Sequence, residues 1–261
     1  RNSHNPPMTQ QLIQHDAVKA FDVIVNGGIG ILPMDIGYSL IGGSSDALMR
    51  IFNAKGRAIG KLNALVGDLT LADELLNLTP QSRELLHLLT ATYDLPLGAI
   101  APCDMSHPLV KALDDRTREM SVRDETIVLL VNAGPFHAAI SRLSYEAKHL
   151  LIGSSANLSN TGTKFRVTDI EPEILNIADV IVDHGLRKYH LYGRSSTLLN
   201  VETFEVVRHG ACFDLMSLIL YSFISLAFSS DSTTTKSSPA NAELFIPKIS
   251  TGVDGNAESI F

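Results

Sequence analysis

Residues 26–43 read NGGIGILPMDIGYSLIGG, and this stretch decides the fold class. Asn26-Gly27-Gly28 is a helix stop, because glycine takes the left-handed conformation that ends a helix. Ile29 to Leu32 reads as a short buried strand closed by Pro33, and Tyr38 to Ile41 as a second strand after a polar turn. Upstream, Leu12, Ala17, Phe21 and Ile24/Val25 recur at helical spacing. Downstream, Ser44 or Ser45 caps a helix carrying Leu48, Ile51 and Phe52, which ends at Lys55-Gly56-Arg57.

The same alternation continues along the chain. Leu62 to Val66 is strand-like, and Thr79-Pro80 opens a helix through Leu85, Leu86 and Leu89. Leu97 to Ala101 and Thr126 to Val131 are strand-like, and Pro135 opens a helix toward His149. Leu150 to Ile152 predicts a strand running into Gly153-Ser154-Ser155-Ala156-Asn157, and Thr168-Asp-Ile-Glu171 a capping box. Strands at Val180 to Val182, Thr197 to Val201 and Phe204 to Val207 complete the body. Irregular crossovers favour an α/β fold with a twisted mixed sheet flanked by helices over a plain doubly wound one.

That body spans residues 11–212. Residues 213–261 have a different character: an uncharged stretch from Leu215 to Ser230, then a Ser/Thr-rich segment to Ser238 that reads as a partly disordered tail. The uncharged stretch falls short of the ~20 apolar residues of a membrane span, and Ser222, Ser225 and Ser229 share one helical stripe. A helix docked on the body or on a partner is expected, without stable membrane insertion.

With 261 residues, 45% hydrophobic and 19% charged, the chain is long enough for a substantial core. A net charge of −7 argues against a general polyanion binder but leaves room for a local basic groove. Cys103 and Cys212 lack CxxC spacing and read as reduced thiols of a cytoplasmic protein, and the opening residues show no apolar signal region. Histidines 137, 149, 184, 190 and 209 have no metal-ligand spacing.

Four clusters carry chemistry-bearing side chains. Asp35, in the turn between the first two strands, caps that turn or faces a ligand. Lys55 and Arg57, followed by Lys61, either complement a helix C-terminus or converge on phosphate across a glycine. Ser154, Ser155 and Asn157 leave a strand end, where such groups bind phosphate or close their own turns. Arg194-Ser195-Ser196-Thr197 enters a strand, and Arg208-His-Gly210 follows the next.

In order, Gly27-Gly28, Pro33-Met-Asp-Ile-Gly-Tyr-Ser-Leu40, Lys55-Gly-Arg57, Ser155-Ala-Asn157, Ser196-Thr-Leu198 and Arg208-His-Gly210 resemble the motifs of the YrdC-like domain of threonylcarbamoyl-adenylate synthases. The resemblance covers about Gln11 to Cys212. It implies a concave, basic cavity and an ATP-binding nucleotidyltransferase using Mg2+ with ATP, bicarbonate and L-threonine, whose product feeds tRNA modification. It implies that Lys55 and Arg57 act catalytically on the triphosphate, and that Lys61, Ser155, Asn157, Thr163 and Arg208 bind the nucleotide. The substrate pocket would comprise Met34, Asp35, Ile36, Tyr38, Val66, Leu130, Gly153, Arg194 and Ser196. There the chain departs from the family: Met34 and Ile36 stand for threonines, Val66 for a histidine and Leu130 for an arginine. The acceptor is then threonine or something more apolar. Two alternatives stay open: a non-catalytic relative binding nucleotide or RNA through Lys55, Arg57, Lys61, Lys164 and Arg166, and a cavity recruited for acid–base chemistry by Asp35, Asp183, His184 or Tyr38.

Overall fold

A computed structural model describes residues 9–56 and 61–231. The first element, α1 (Gln10–Val25), starts where the Thr9 hydroxyl accepts from Leu12 N and ends at Gly27, φ +89°. It leads into the hairpin β1 (Gly30–Met34) and β2 (Gly37–Gly42), and then α2 (Ser45–Ala54), capped by Ser44. Next come β3 (Ala64–Val66), α3 (Leu69–Leu75) and α4 (Pro80–His87), the last extended by a π-helical turn at Leu88–Thr92. β4 (Leu97–Pro102), the short helices α5 (Pro108–Lys111) and α6 (Asp115–Glu119), β5 (Thr126–Val131) and α7 (Pro135–Glu146) follow. The chain continues through β6 (Leu151–Ser155), α8 (Pro172–Leu175), β7 (Val180–Ile181), β8 (Thr197–Asn200) and β9 (Glu205–Arg208) to α9 (Phe213–Asp231).

All nine of these strands form one sheet, ordered β7-β1-β2-β6-β3-β5-β4-β8-β9. The pairs β1–β7, β3–β5 and β4–β8 are parallel and the rest antiparallel, so the mixed sheet expected from the irregular crossovers is found. Pro33 lies inside β1 rather than closing it. Pairing with β7 reaches only Gly30 and Ile31, so the missing N–H of Pro33 breaks no ladder bond there.

Strand alternation divides the sheet. Ala17, Ala20 and Ile24 of α1 are buried with Phe136 and Ile140 of α7 in the same core as Leu40, Leu65 and Leu129. A second, smaller cluster of Ile100, Val128 and Leu198, backed by Ala64 and Val207, marks the other face. α9 docks on the body: Met216, Leu220 and Ile224, four residues apart, are buried in the main core, and Phe223 meets Phe204 edge-on at 6.1 Å. Ser222 and Ser225 return their hydroxyls to backbone carbonyls four residues earlier. No helix among the described residues is long and apolar enough to cross a membrane. The tail expected beyond residue 231 lies outside the described residues.

One expected local device is replaced. Glu171 is the N-cap residue of α8, yet its side chain makes no capping bond. The carboxylate is engaged instead by residues 158–164, and that loop walls the site.

Candidate functional site

A cavity of about 450 Å³ opens on the face opposite α1 and α7, within the range of small-molecule sites. Its floor is made by alternate residues of neighbouring strands. β2 supplies Ser39 and Ile41, β6 Gly153 and Ser155, β3 Ala64 and Val66, and β5 Val128 and Leu130. Gly98 of β4, Leu198 of β8 and Arg208 of β9 extend it across the sheet. Two glycines are dictated by close approach. A Cβ at Gly153 would fall 1.9 Å from Leu40 O, and one at Gly98 would meet the Leu198 side chain at 2.3 Å.

Charge is distributed one way. Lys55, Lys61, Arg194 and Arg208 reach the lining with His209, and no Asp or Glu among the described residues does. In a chain of net charge −7, that is a local inversion.

Lys55 is the C-cap of α2, followed by Gly56 at φ +55°. Its ammonium is buried and donates to Asn157 O at 2.6 Å and to Ser155 O, while Ser159 N donates back to Lys55 O at 3.0 Å. Lys55 thus ties the end of β6 to α2 and holds its charge at the cavity wall. Arg57 lies outside the described residues.

The loop after Asn157 supplies Ser159, Asn160, Gly162 and Thr163 to the wall. Glu171 clasps it: Oε1 lies 2.7 Å from Lys164 Nζ and accepts from Thr161 Oγ1 at 2.6 Å, and Oε2 accepts from Leu158 N at 3.3 Å. Burial pushes the Glu171 carboxyl up, but the bonds from Lys164 and Thr161 outweigh it and bring the pKa to about 2. Thr163 packs onto Gly37, where a Cβ would sit 2.3 Å from its methyl, and Tyr38 N donates to Lys164 O.

At the other end, Arg208 crosses the β8–β9 hairpin and donates from Nε and Nη2 to Ser196 O at 3.2 and 2.9 Å. Arg194 is exposed and donates to His209 O at 3.4 Å. Two polar atoms of the lining, Ser154 Oγ and Asn157 Oδ1, are buried without a hydrogen-bond partner among the described residues. Asn157 Nδ2 is already committed to Leu158 O, which leaves its oxygen as an acceptor awaiting a donor. Behind the floor, fully buried His137 donates from Nε2 to Leu130 O at 3.0 Å, and burial lowers its pKa to about 4.

Of the residues expected in the site, Lys55, Lys61, Ser155, Asn157, Thr163, Arg208, Ile36, Val66, Leu130, Gly153, Ser196 and Arg194 line this one cavity. Met34, Asp35 and Tyr38 do not, which corrects their placement in the substrate pocket. Met34 is fully buried. Asp35 is buried against Arg187, whose Nη2 lies 3.1 Å from Oδ1, and its carboxyl carbon would sit 2.3 Å from a Cβ at Gly134. Burial holds this carboxyl above the usual carboxylate range, although Arg187 pulls it down. Tyr38 donates its hydroxyl to Asp183 Oδ1 or Gly185 O, each at 2.9 Å, and accepts from His184 N; burial and Asp183 push the phenol far up. His184 pairs with Asp16 at 2.9 Å. These groups form a polar staple between elements, and none of Asp35, Tyr38, Asp183 and His184 is among the residues that line the cavity. Among the cations offered for RNA, Lys55 is buried and Lys164 is paired with Glu171.

The lining residues absent from the motif reading, such as Ile41, Ala64 and Val128, sit two positions from motif or expected pocket residues. Extending each strand by its period of two finds them. No group of three His, Cys, Asp or Glu that could hold a metal occurs among the described residues.

The described residues thus form a mixed α/β sheet with a hollow on one face, lined by Lys55, Lys61, Arg194 and Arg208. The family model for Sua5/YciO/YrdC, described as telomere recombination, matches residues 22–210, and the chain belongs to that family. No curated protein sequence matches it. Among solved structures, a hypothetical protein of Streptococcus mutans aligns with a TM-score of 0.68 at 19% identity, covering 78% of this chain and 90% of that one. YciO of E. coli aligns with a TM-score of 0.58 at 22% identity, covering 79% and 91%. P. abyssi Sua5 complexed with L-threonine aligns with a TM-score of 0.56 at 19% identity, over 75% of this chain and 52% of Sua5, about half its length. At these identities the likeness is one of fold.

Proposed function

We propose that this chain binds ATP in the cavity and forms a carbamoyl-adenylate from bicarbonate and an amine. The reaction balances as follows. The free amine adds to CO2 in equilibrium with bicarbonate and loses a proton, giving a carbamate. A carbamate oxygen attacks the α-phosphorus, the bond from that phosphorus to the bridging oxygen breaks, and pyrophosphate leaves with the electron pair. The protein's part is to hold the pieces in line and to spread positive charge over the phosphates. Lys55, Lys61 and Arg208 are assigned to the phosphates, and Ser155, Asn157 and Thr163 to the rest of the nucleotide. The Mg2+ that the family implies finds no protein ligand set among the described residues, and its place would be on the phosphates.

The observation that carries the reading is the lining, which among the described residues holds four Lys or Arg side chains and no acid, on an acidic chain of this family. The orphaned Asn157 Oδ1 adds to it, since an amino group of a ligand would satisfy it. The relative bound to L-threonine supports an amino acid or similar amine as second substrate. Coupled detection of pyrophosphate tests it. ATP- and bicarbonate-dependent release with at least one amine is expected; no release with any amine contradicts it.

A further inference from the structure

The helix α9 carries two stripes. Met216, Leu220 and Ile224 are buried in the body. On the opposite side, Leu215, Leu218, Ser222 and Ser225 recur at intervals of three, four and three residues, the spacing of a helix-pairing seam, and all four are exposed. Leu218 is 68% exposed, and Tyr221 and Leu226, at 60% and 72%, flank the seam. No charge occurs from Leu215 to Ser230. The Ser222 and Ser225 hydroxyls donate to Leu218 O at 3.0 Å and Tyr221 O at 2.8 Å, so covering this face strands neither donor.

The seam is large at one end and small at the other. Turned antiparallel about position 220, a second copy sets its Ser225 against Leu215 and its Ser222 against Leu218, and the reverse holds by symmetry. Every leucine then enters a notch left by a serine. Parallel pairing would put leucine on leucine and serine on serine, leaving voids beside the serines.

We infer that this face of α9 pairs antiparallel with α9 of a second copy of the chain, forming a homodimer. The inference stands apart from the proposed reaction, because no residue of α9 lines the cavity. From Leu215 to Leu226 the seam is about 17 Å long, a single-helix contact well below the ~800 Å² each partner gives to a stable dimer. Association is therefore weak and reversible, with a Kd on the order of 10–100 µM. Each copy carries a net charge of −7, so screening by salt strengthens it.

Sedimentation of the full chain from about 1 to 300 µM is expected to show a monomer–dimer equilibrium, weakened at least about tenfold by Leu218→Glu with Tm unchanged. Cross-linking reads the register. Under mild oxidation, a mixture of Leu218→Cys and Ser222→Cys chains is expected to give disulfide-linked pairs, since facing Cα atoms would stand within the ~4.4–6.8 Å a disulfide spans. Either variant alone is expected to give few, because two copies of one position would be four residues, or ~6 Å, out of step. The native Cys103 and Cys212 are buried and do not compete. Three results overturn the inference: single variants that cross-link as well as the mixture, a dimer indifferent to Leu218→Glu, or a chain that stays monomeric throughout. The last would leave residues 232–261 of the same chain, or no partner, as the occupant of this face.

Discussion

Replacing Glu171 with glutamine should loosen one wall of the cavity and leave the sheet intact. The carboxylate holds Lys164, Thr161 and the Leu158 amide together, with both Glu171 and Lys164 side chains less than one-fifth exposed. Its pKa falls from 4.5 to about 2 in the folded protein, which at about 1.4 kcal/mol for each pH unit corresponds to ~3 kcal/mol. Partial solvent screening brings the working figure to about 2 kcal/mol. Because the folded value is the lower one, this stabilisation is complete above about pH 4.5 and fades as pH drops toward 2. Glutamine keeps the shape but loses the ion pair with Lys164. Hydrogen exchange at neutral pH reads the result: amides 158–164 should exchange roughly 30-fold faster in Glu171→Gln, with those of β5 unchanged. Nucleotide affinity should weaken with them, since the loop supplies Ser159, Asn160 and Thr163. Unchanged exchange in the loop, or an equal rise across the whole sheet, would refute the clasp.

Two substitutions separate scaffold from site. Gly153→Ala would force a methyl to 1.9 Å from Leu40 O in the middle of the sheet, and a loss of about 4 kcal/mol or more, near 10 °C in Tm, is expected; Gly162→Ala, with nothing within 4 Å, should cost only about 1 kcal/mol through its φ of +81°. Asp35→Ala strands the buried Arg187 guanidinium and should cost about 3–5 kcal/mol in denaturant unfolding. The folded fraction should still bind nucleotide with unchanged affinity, because Asp35 is not in the lining; a selective loss of binding would return Asp35 to the site.

Much of this was legible in the residues, for reasons that differ by element. Ser44 and Thr79 announce their helices because a capping hydroxyl acts locally, and Thr126 to Val131 reads as a strand because a buried run needs no partner to be recognised. The motifs at strand and helix ends named Lys55, Ser155, Asn157 and Arg208, which the fold brings to one hollow. What local pattern could not resolve were rivalries settled by tertiary contact. Thr168 to Glu171 has the capping-box pattern, yet Lys164 and Thr161 lie within reach and a charge-assisted bond outcompetes a cap. Asp35 stands at a strand end where ligand groups gather, but Arg187, 152 residues on, claims it. Pro33 resembles a strand terminator until the short reach of β7 is known. The uncharged run after Cys212 reads equally as a partner-binding helix, and only the burial of Met216, Leu220 and Ile224 decides that the body itself is a partner.

Everything functional here depends on one basic hollow receiving a polyphosphate. Titration of Mg·ATP into the full chain at low and moderate salt tests that directly, with Lys61→Ala and Arg194→Ala beside the wild type. Saturable one-to-one binding is predicted, weakened about tenfold by loss of Lys61 and reduced by salt. Absence of binding, or affinity indifferent both to salt and to those two side chains, would contradict it.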